Sequence, residues 1–298
     1  VMKAIYSPDG QWIATGSIDM SVRIWDAQSG VEIHLLSAHF GGIYDINFSP
    51  DGRWLVTSGI DGTARVWDVS TGNQINVLLG HEAAVPSAVF SSDGQWIVTS
   101  GLHDNTARVW EATTGKAIAV LRGHTARVNY AAISPGGRWV ATASEDGTAR
   151  IWSTLAYEVG LFPGYAGRSH RIAFSKDQER LATVEAHRFD TSGRFVSQEA
   201  SKVWIWDITT GNLITTLGGY NSDVEAIHFS PDAQWLATGH YATGMIRIWE
   251  TASGRKVTEW KANDSTVSGL IFTPDSRWLI SAGTDGSIHA WYASTWEE

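Results

Sequence analysis

The residues best equipped for chemistry in this chain are histidines, threonines and aspartates that return at repeating distances. His39, Thr57 and Asp61 are followed by His81, Thr99 and Asp104, and then by His124, Thr142 and Asp146. Hydroxyl, imidazole and carboxylate are the parts of an acyl-transfer triad, in which the imidazole takes the hydroxyl proton and the carboxylate orients the imidazole. A nucleophile is needed once, however. Three full sets occur here, with Thr15 and Asp19, and again Ser281 and Asp285, as partial copies. A polar brace that satisfies buried groups is needed in every copy of a repeated unit. The recurrence predicts scaffold.

Other catalytic patterns fail on their spacing. The sequence has no Gly-x-Ser-x-Gly elbow. Gly115-Lys116-Ala117 lacks the hydroxyl that closes a phosphate-binding loop. His81-Glu82 opens like a zinc-helix motif, but Val85 stands where the second His is required. His103, His170, His187 and His240 have no close spacing, so no metal site is expected from them, and no cofactor. Zero Cys removes disulfides and thiolate chemistry together and suits a cytoplasmic location. A net charge of −9 argues against a nucleic-acid partner, which needs a Lys/Arg excess. No apolar run approaches the roughly 20 residues of a membrane span, so no membrane partner is expected.

The elements that must carry these residues are visible in two interlocked registers. Of sixteen Trp, one set closes strand-like runs at Trp25, Trp67, Trp110, Trp152, Trp206, Trp249 and Trp291, in steps of 42, 43, 42, 54, 43 and 42 residues. A second set (Trp12, Trp54, Trp96, Trp139, Trp235 and Trp278) follows turns such as Ser49-Pro50-Asp51-Gly52, with Arg180 in its place in the fifth copy. Pro presets φ and Gly tolerates positive φ, so these are tight turns. Between them lie β-branched and aromatic runs such as Trp54–Thr57 and Thr63–Trp67. Each copy holds about four short strands without helical periodicity. All-β repeats of that length stack as blades around an axis. The expected fold is all-β: a seven-bladed β-propeller of four-stranded antiparallel blades, a single domain over 1–298. Its blades fall at about 1–37, 38–79, 80–121, 122–163, 164–217, 218–260 and 261–298.

These units resemble WD repeats, whose signature is Gly-His opening and Trp-Asp closing a unit of about 40–45 residues. Gly80-His81, Gly123-His124, Trp25-Asp26, Trp67-Asp68 and Trp206-Asp207 match outright; Ala38-His39, Trp110-Glu111 and Trp249-Glu250 nearly do. The resemblance implies that His39, Thr57, Asp61 and Trp67 form one hydrogen-bonded tetrad, with His81, Thr99, Asp104 and Trp110 a second and His124, Thr142, Asp146 and Trp152 a third. Departures mark the later copies: Tyr165 and Ala200 in blade 5, Tyr220 and Thr243 in blade 6, and Asn263 in blade 7. Blades 5 and 6 are therefore expected to be the loosest. The recurrent Arg23, Arg65, Arg108, Arg150 and Arg247 are expected to pack their stems and send their heads to water.

The resemblance also implies a non-catalytic scaffold that binds a protein or peptide, similar to bacterial WD-repeat proteins and fused to other domains of a larger signalling protein. Its contact residues would come from the loops leading into inner strands and those joining second to third strands: Tyr44, Ile60, His103, Arg127, Asn129, Glu145, Arg168, His170, Asp223 and Glu225. The alternative is an enzyme, or a small-ligand or metal-binding propeller, with its site at the channel mouth. The long step before Trp206 predicts a hairpin inserted at about 184–201, presenting Arg188, Phe189, Arg194 and Phe195. Only seven residues follow Trp291, and Trp296 stands where the outer-strand turn needs Gly. The last blade is thus expected to lack its outer strand, as a piece of a longer protein would.

Overall fold

The computed structural model describes residues 1–154, 158–163, 168–186, 201–220 and 222–296. Tyr165, Ala200 and the expected hairpin residues Arg188, Phe189, Arg194 and Phe195 lie outside the described residues. The described residues form seven antiparallel sheets and no helix. Sheet 1 is β1–β4 (Lys3–Tyr6, Trp12–Gly16, Val22–Asp26, Glu32–Leu36) and sheet 2 is β5–β8 (Ile43–Phe48, Trp54–Gly59, Ala64–Asp68, Gln74–Leu78). Sheet 3 is β9–β12 (Ser87–Phe90, Trp96–Ser100, Thr106–Glu111, Ala117–Arg122) and sheet 4 is β13–β16 (Val128–Ile133, Trp139–Ser144, Thr148–Ser153, Glu158–Pro163). Sheet 5 is β17–β20 (Arg168–Phe174, Arg180–Ala186, Lys202–Asp207, Leu213–Leu217) and sheet 6 is β21–β24 (Val224–Phe229, Trp235–His240, Met245–Glu250, Lys256–Lys261). Sheet 7 has three strands, β25–β27 (Val267–Phe272, Trp278–Gly283, Ile288–Tyr292). In every sheet the strands pair in chain order. This is the seven-bladed β-propeller class. The chain divides into two compact units, one of 1–146 with 150–159 and the other of 147–149 with 160–298.

Side chains and backbone together close the turn between first and second strands. Ser49 Oγ donates to Asp51 at 2.6 Å and accepts from Trp54 N at 2.8 Å, while Gly52 turns the chain at φ +71°. The same arrangement recurs at Ser7, Ser91, Ser230 and Thr273.

Packing inside the first unit runs from blade to blade. Ala14, Val22 and Ile24 of blade 1 pack with Ile46, Leu55 and Trp67 of blade 2. Val56 and Val66 then pack with Ile97 and Trp110, and Val98 and Val109 with Val140 and Trp152. In the second unit Val203 and Ile205 meet Leu236 and Trp249, and Ile246 and Ile248 meet Leu279 and Trp291. Each buried indole fills the surface of the preceding sheet, and truncating one would cost about 3–5 kcal/mol.

One detail differs from expectation. The recurrent arginines turn their heads to partners within the protein: Arg23, Arg150 and Arg247 pair with Glu32, Glu158 and Glu259 on the outer strand of their own blades, Arg65 Nη1 donates to Gln74, and Arg108 lies over the Trp110 ring. A Glu or Gln side chain reaching across from the next strand meets the guanidinium groups of Arg23, Arg65, Arg150 and Arg247. Trp278 is half-exposed and stacks edge-on with Tyr292, whereas Trp12, Trp54, Trp96 and Trp235 pack against core clusters. Trp296 does hold the turn position of the glycines: its N–H donates to Tyr292 O, as Gly72 N–H donates to Asp68 O, and its φ is +61°.

Candidate partner-binding face

Three tetrads are built alike in the first unit. Trp67 Nε1–H donates to Thr57 Oγ1 at 2.9 Å, and Thr57 lies 2.8 Å from His39 Nε2. His39 Nδ1 lies 2.9 Å from Asp61 Oδ2, and Phe40 N also donates to that oxygen at 3.0 Å. Asp61 is closed by Thr63 N and Oγ1 on its other oxygen. The network assigns one direction to the chain: indole to hydroxyl, hydroxyl to imidazole, imidazole Nδ1–H to carboxylate. His81, Thr99, Asp104 and Trp110 repeat it at 2.7–2.8 Å, and His124, Thr142, Asp146 and Trp152 at 2.7–2.9 Å.

Electrostatics follow from burial. Burial pushes His39 below the ordinary histidine value, against the pull of Asp61. Burial would raise Asp104, but His81 and Thr106 outweigh it and hold the carboxyl down at about 2. Thr57, Thr99 and Thr142 are fully buried, so no substrate can reach the hydroxyls that a triad would use. These sets brace the turns above them. They are not an open active site.

Blade 6 builds its brace from other residues, with Thr243 where blades 2 to 4 have Asp. Thr238 Oγ1 still receives Trp249 Nε1–H at 3.1 Å, and its imidazole is His240, two residues along the same strand at 3.2 Å. Tyr220 stacks on His240 with ring centres 5.1 Å apart, and the Arg247 guanidinium lies over Tyr220. His240 is thus sealed inside its blade, so it is not available at the surface as the metal ligand considered above. In blade 5 the indole–hydroxyl pair Trp206–Thr183 persists at 2.9 Å. In blade 7 Trp291 donates to Ser281, while Asn263 donates to Ser287 and Asp285 accepts from Asp264 N.

Above the braces, the two kinds of loop are sewn together by backbone. Ile60 N donates to Gly42 O at 3.0 Å, Leu102 N to Ala84 O at 3.1 Å and Glu145 N to Arg127 O at 2.9 Å. In the second unit Tyr241 N donates to Asp223 O and Thr284 N to Thr266 O. The third blade carries one extra residue in this turn. Leu102 therefore takes the place of Ile60, and His103 stands one residue further out, exposed.

Pairing also slips by one residue near the start of five inner strands: between Ile43 and Asp45, Val128 and Tyr130, Ser169 and Arg171, Val224 and Ala226, and Val267 and Gly269. The positions that the register skips are Tyr44, Asn129, His170, Glu225 and Ser268. A β-bulge re-aims the residue that it frees. Tyr44, Ile60 and Arg127 are exposed, and Asn129, Glu145, Asp223 and Glu225 are half-buried. Asp223 accepts from Ser201 Oγ at 2.6 Å and Glu225 pairs with Arg171 at 3.4 Å, so both of these expected contact carboxylates are already engaged inside the unit. The side chains of Arg168 and His170 lie outside the described residues. The buried inner-strand carboxylate of the first unit, Asp45, is likewise saturated, by Lys3 Nζ at 2.6 Å, Ala88 N at 3.1 Å and Ile46 N at 3.0 Å.

The sequence reading missed Ile18, Met20 and Phe40, which are exposed on the same loops as Tyr44 and Ile60. The available signal was positional: Ile18 precedes Asp19 as Ile60 precedes Asp61, and Phe40 follows the tetrad His39.

The family described as "WD domain, G-beta repeat" matches residues 1–26, 30–68, 72–111, 115–153, 211–250 and 254–292. The chain belongs to this family. Among solved structures, the computationally designed Ika8 protein is similar over 95% of this chain and 80% of its own length, at 25% identity and a TM-score of 0.78. No curated protein matches. WD-repeat propellers are typically protein-interaction scaffolds and generally non-catalytic.

Proposed function

We propose that this chain is a non-catalytic scaffold that binds a protein or peptide through the bulged strand starts and the loops sewn to them, with Tyr44, Ile60, His103, Arg127, Asn129 and Glu145 as contact positions in the first unit. In the second unit Arg168, His170, Asp223 and Glu225 hold the corresponding positions. The observation that carries the reading is the exposure of Tyr44 and Ile60 directly above a tetrad whose own hydroxyl is closed to solvent. Large apolar side chains held outward on a braced turn favour binding over turnover. A net charge of −9 supports a protein partner rather than nucleic acid. We place the scaffold in the cytoplasm, as the recognition part of a larger signalling protein of bacterial type.

Affinity capture with the intact chain tests this, with bound proteins identified and titrated. Partners should be lost with Tyr44→Ala combined with Arg127→Glu while the melting temperature holds. A substrate turned over by the purified chain, or capture unaffected by both substitutions, would defeat the reading.

A further inference from the structure

We infer that the loops of the first three blades take a peptide segment in which a large apolar side chain stands next to a lysine or arginine; this rests on the scaffold reading and assigns its partner chemistry. Four apolar side chains form a continuous surface. Ile18, Met20, Phe40 and Ile60 are 67%, 49%, 87% and 45% exposed. Scattered apolar residues on a surface need no account, but a contiguous set does. Contiguity comes from Gly41 and Gly42, which thread between the two isoleucines: a Cβ on Gly42 would come within 3.0 Å of Ile18 Cγ1, and one on Gly41 within 2.9 Å of Ile60 Cβ. Met20 and Phe40 open onto one pocket of about 320 Å³, shared with Asp19 and His39. Met20 sits at φ +72°, where blade 2 has Gly62 at +79°. A left-handed non-glycine residue costs about 1 kcal/mol, so the turn holds this side chain outward against its own backbone preference.

The charged half is one-sided. The segments 17–21, 37–44, 59–63, 80–86 and 101–105 contain Asp19, Asp61, Glu82 and Asp104 and no Lys or Arg. Asp61 and Asp104 are held by His39 and His81. Asp19 and Glu82 remain exposed at the rim, and the nearest cation to Asp19, Arg23, is 4.0 Å away and also paired with Glu32. The Ser21 hydroxyl holds Asp19 below the ordinary carboxyl value, so it is ionised at neutral pH. Lys3 is tied to Asp45. Phosphates of a nucleic acid or an anionic lipid would meet only carboxylates here, and a second copy of a chain at −9 brings more of the same sign. A basic–apolar peptide answers both halves.

The test is selection of a random peptide library against the intact chain, followed by fluorescence-anisotropy titration of the enriched peptides. Enrichment of an aromatic or long aliphatic residue beside Lys or Arg is expected. Affinity should fall about tenfold or more for Phe40→Ser with Ile60→Ser, and about threefold for Asp19→Asn with Glu82→Gln, at unchanged melting temperature. Enrichment of acidic or uncharged peptides, or enriched peptides that titrate unchanged against both double variants, overturns the assignment and leaves the scaffold reading standing. If no sequence enriches, the peptide assignment falls, and affinity capture with the intact chain decides the scaffold reading separately.

Discussion

Thr238 Oγ1 meets its imidazole two residues further along its own strand, at His240, whereas Thr57 meets His39 across eighteen residues of chain. The two solutions satisfy the same indole, Trp249 in one blade and Trp67 in the other, yet only the second ends on a carboxylate. The acid whose charge reaches it, Glu259, is itself paired with Arg247, so a charged His240 would be buried beside that guanidinium.

This difference predicts how stability depends on pH. Burial, and then the charge of Arg247, hold His240 down at about 4; burial alone does the same for His228, whose Nδ1 accepts from Phe272 N. Both folded values lie below the ordinary 6.5, so the unfolded chain binds protons that the folded chain refuses. Their stabilisation is therefore fully present above about pH 6.5 and is lost as pH falls toward about 4, each group contributing a slope of about 1.4 kcal/mol per pH unit inside that window. Urea titrations across this range should show the decline, and His240→Gln should remove about one proton of slope. A variant profile parallel to wild type would contradict the assignment.

The turns between first and second strands offer a second check. Gly10, Gly52, Gly94 and Gly137 hold the left-handed position in blades 1 to 4, whereas Gln178, Ala233 and Ser276 hold it in blades 5 to 7. Ser276→Gly should stabilise by up to about 1 kcal/mol, and Gly52→Ala should cost about 1–2 kcal/mol. Calorimetry on the two variants should give melting shifts of opposite sign. Shifts of the same sign would mean that this backbone position does not set the strain.

Gly101 makes a third. A Cβ there would collide with Asp104 Oδ1 and His81 Nδ1, two groups of one brace. Gly101→Ala should therefore cost about 3 kcal/mol, whereas Gly59→Ala, whose Cβ would lie 3.4 Å from His39 Nδ1 and 2.8 Å from Gly42 O, should disturb the backbone seam more than the tetrad. Denaturant midpoints and the histidine ring resonances distinguish the two.

The blades were legible because Trp67 and its six counterparts recur with Ser-Pro-Asp-Gly turns at one period, and both signals are local. His240 was not, since a histidine inside a strand resembles any half-buried residue until the partner that it replaces is located in space. The partners of Arg150 and Arg247, Glu158 and Glu259, lie across strand pairings that single-sequence patterning does not fix. The bulge that frees Tyr44 is likewise a mismatch between two strands, invisible in either alone. Tyr44 and Ile60 were found from loop position; Ile18 holds the same repeat position as Ile60 and was passed over, while Phe40 is marked only by following the tetrad His39.

The central claim is that the hydroxyl–imidazole–carboxylate sets hold the fold while the loops above them bind. Its most direct test measures stability and partner affinity side by side for Thr99→Val and for Tyr44→Ser combined with Ile60→Ser. Thr99→Val leaves Trp110 and His81 without their shared hydroxyl and should cost about 2–3 kcal/mol with affinity intact. The surface pair should do the reverse, with affinity lost and the melt unmoved. Thr99→Val abolishing binding or turnover at full stability would contradict the account.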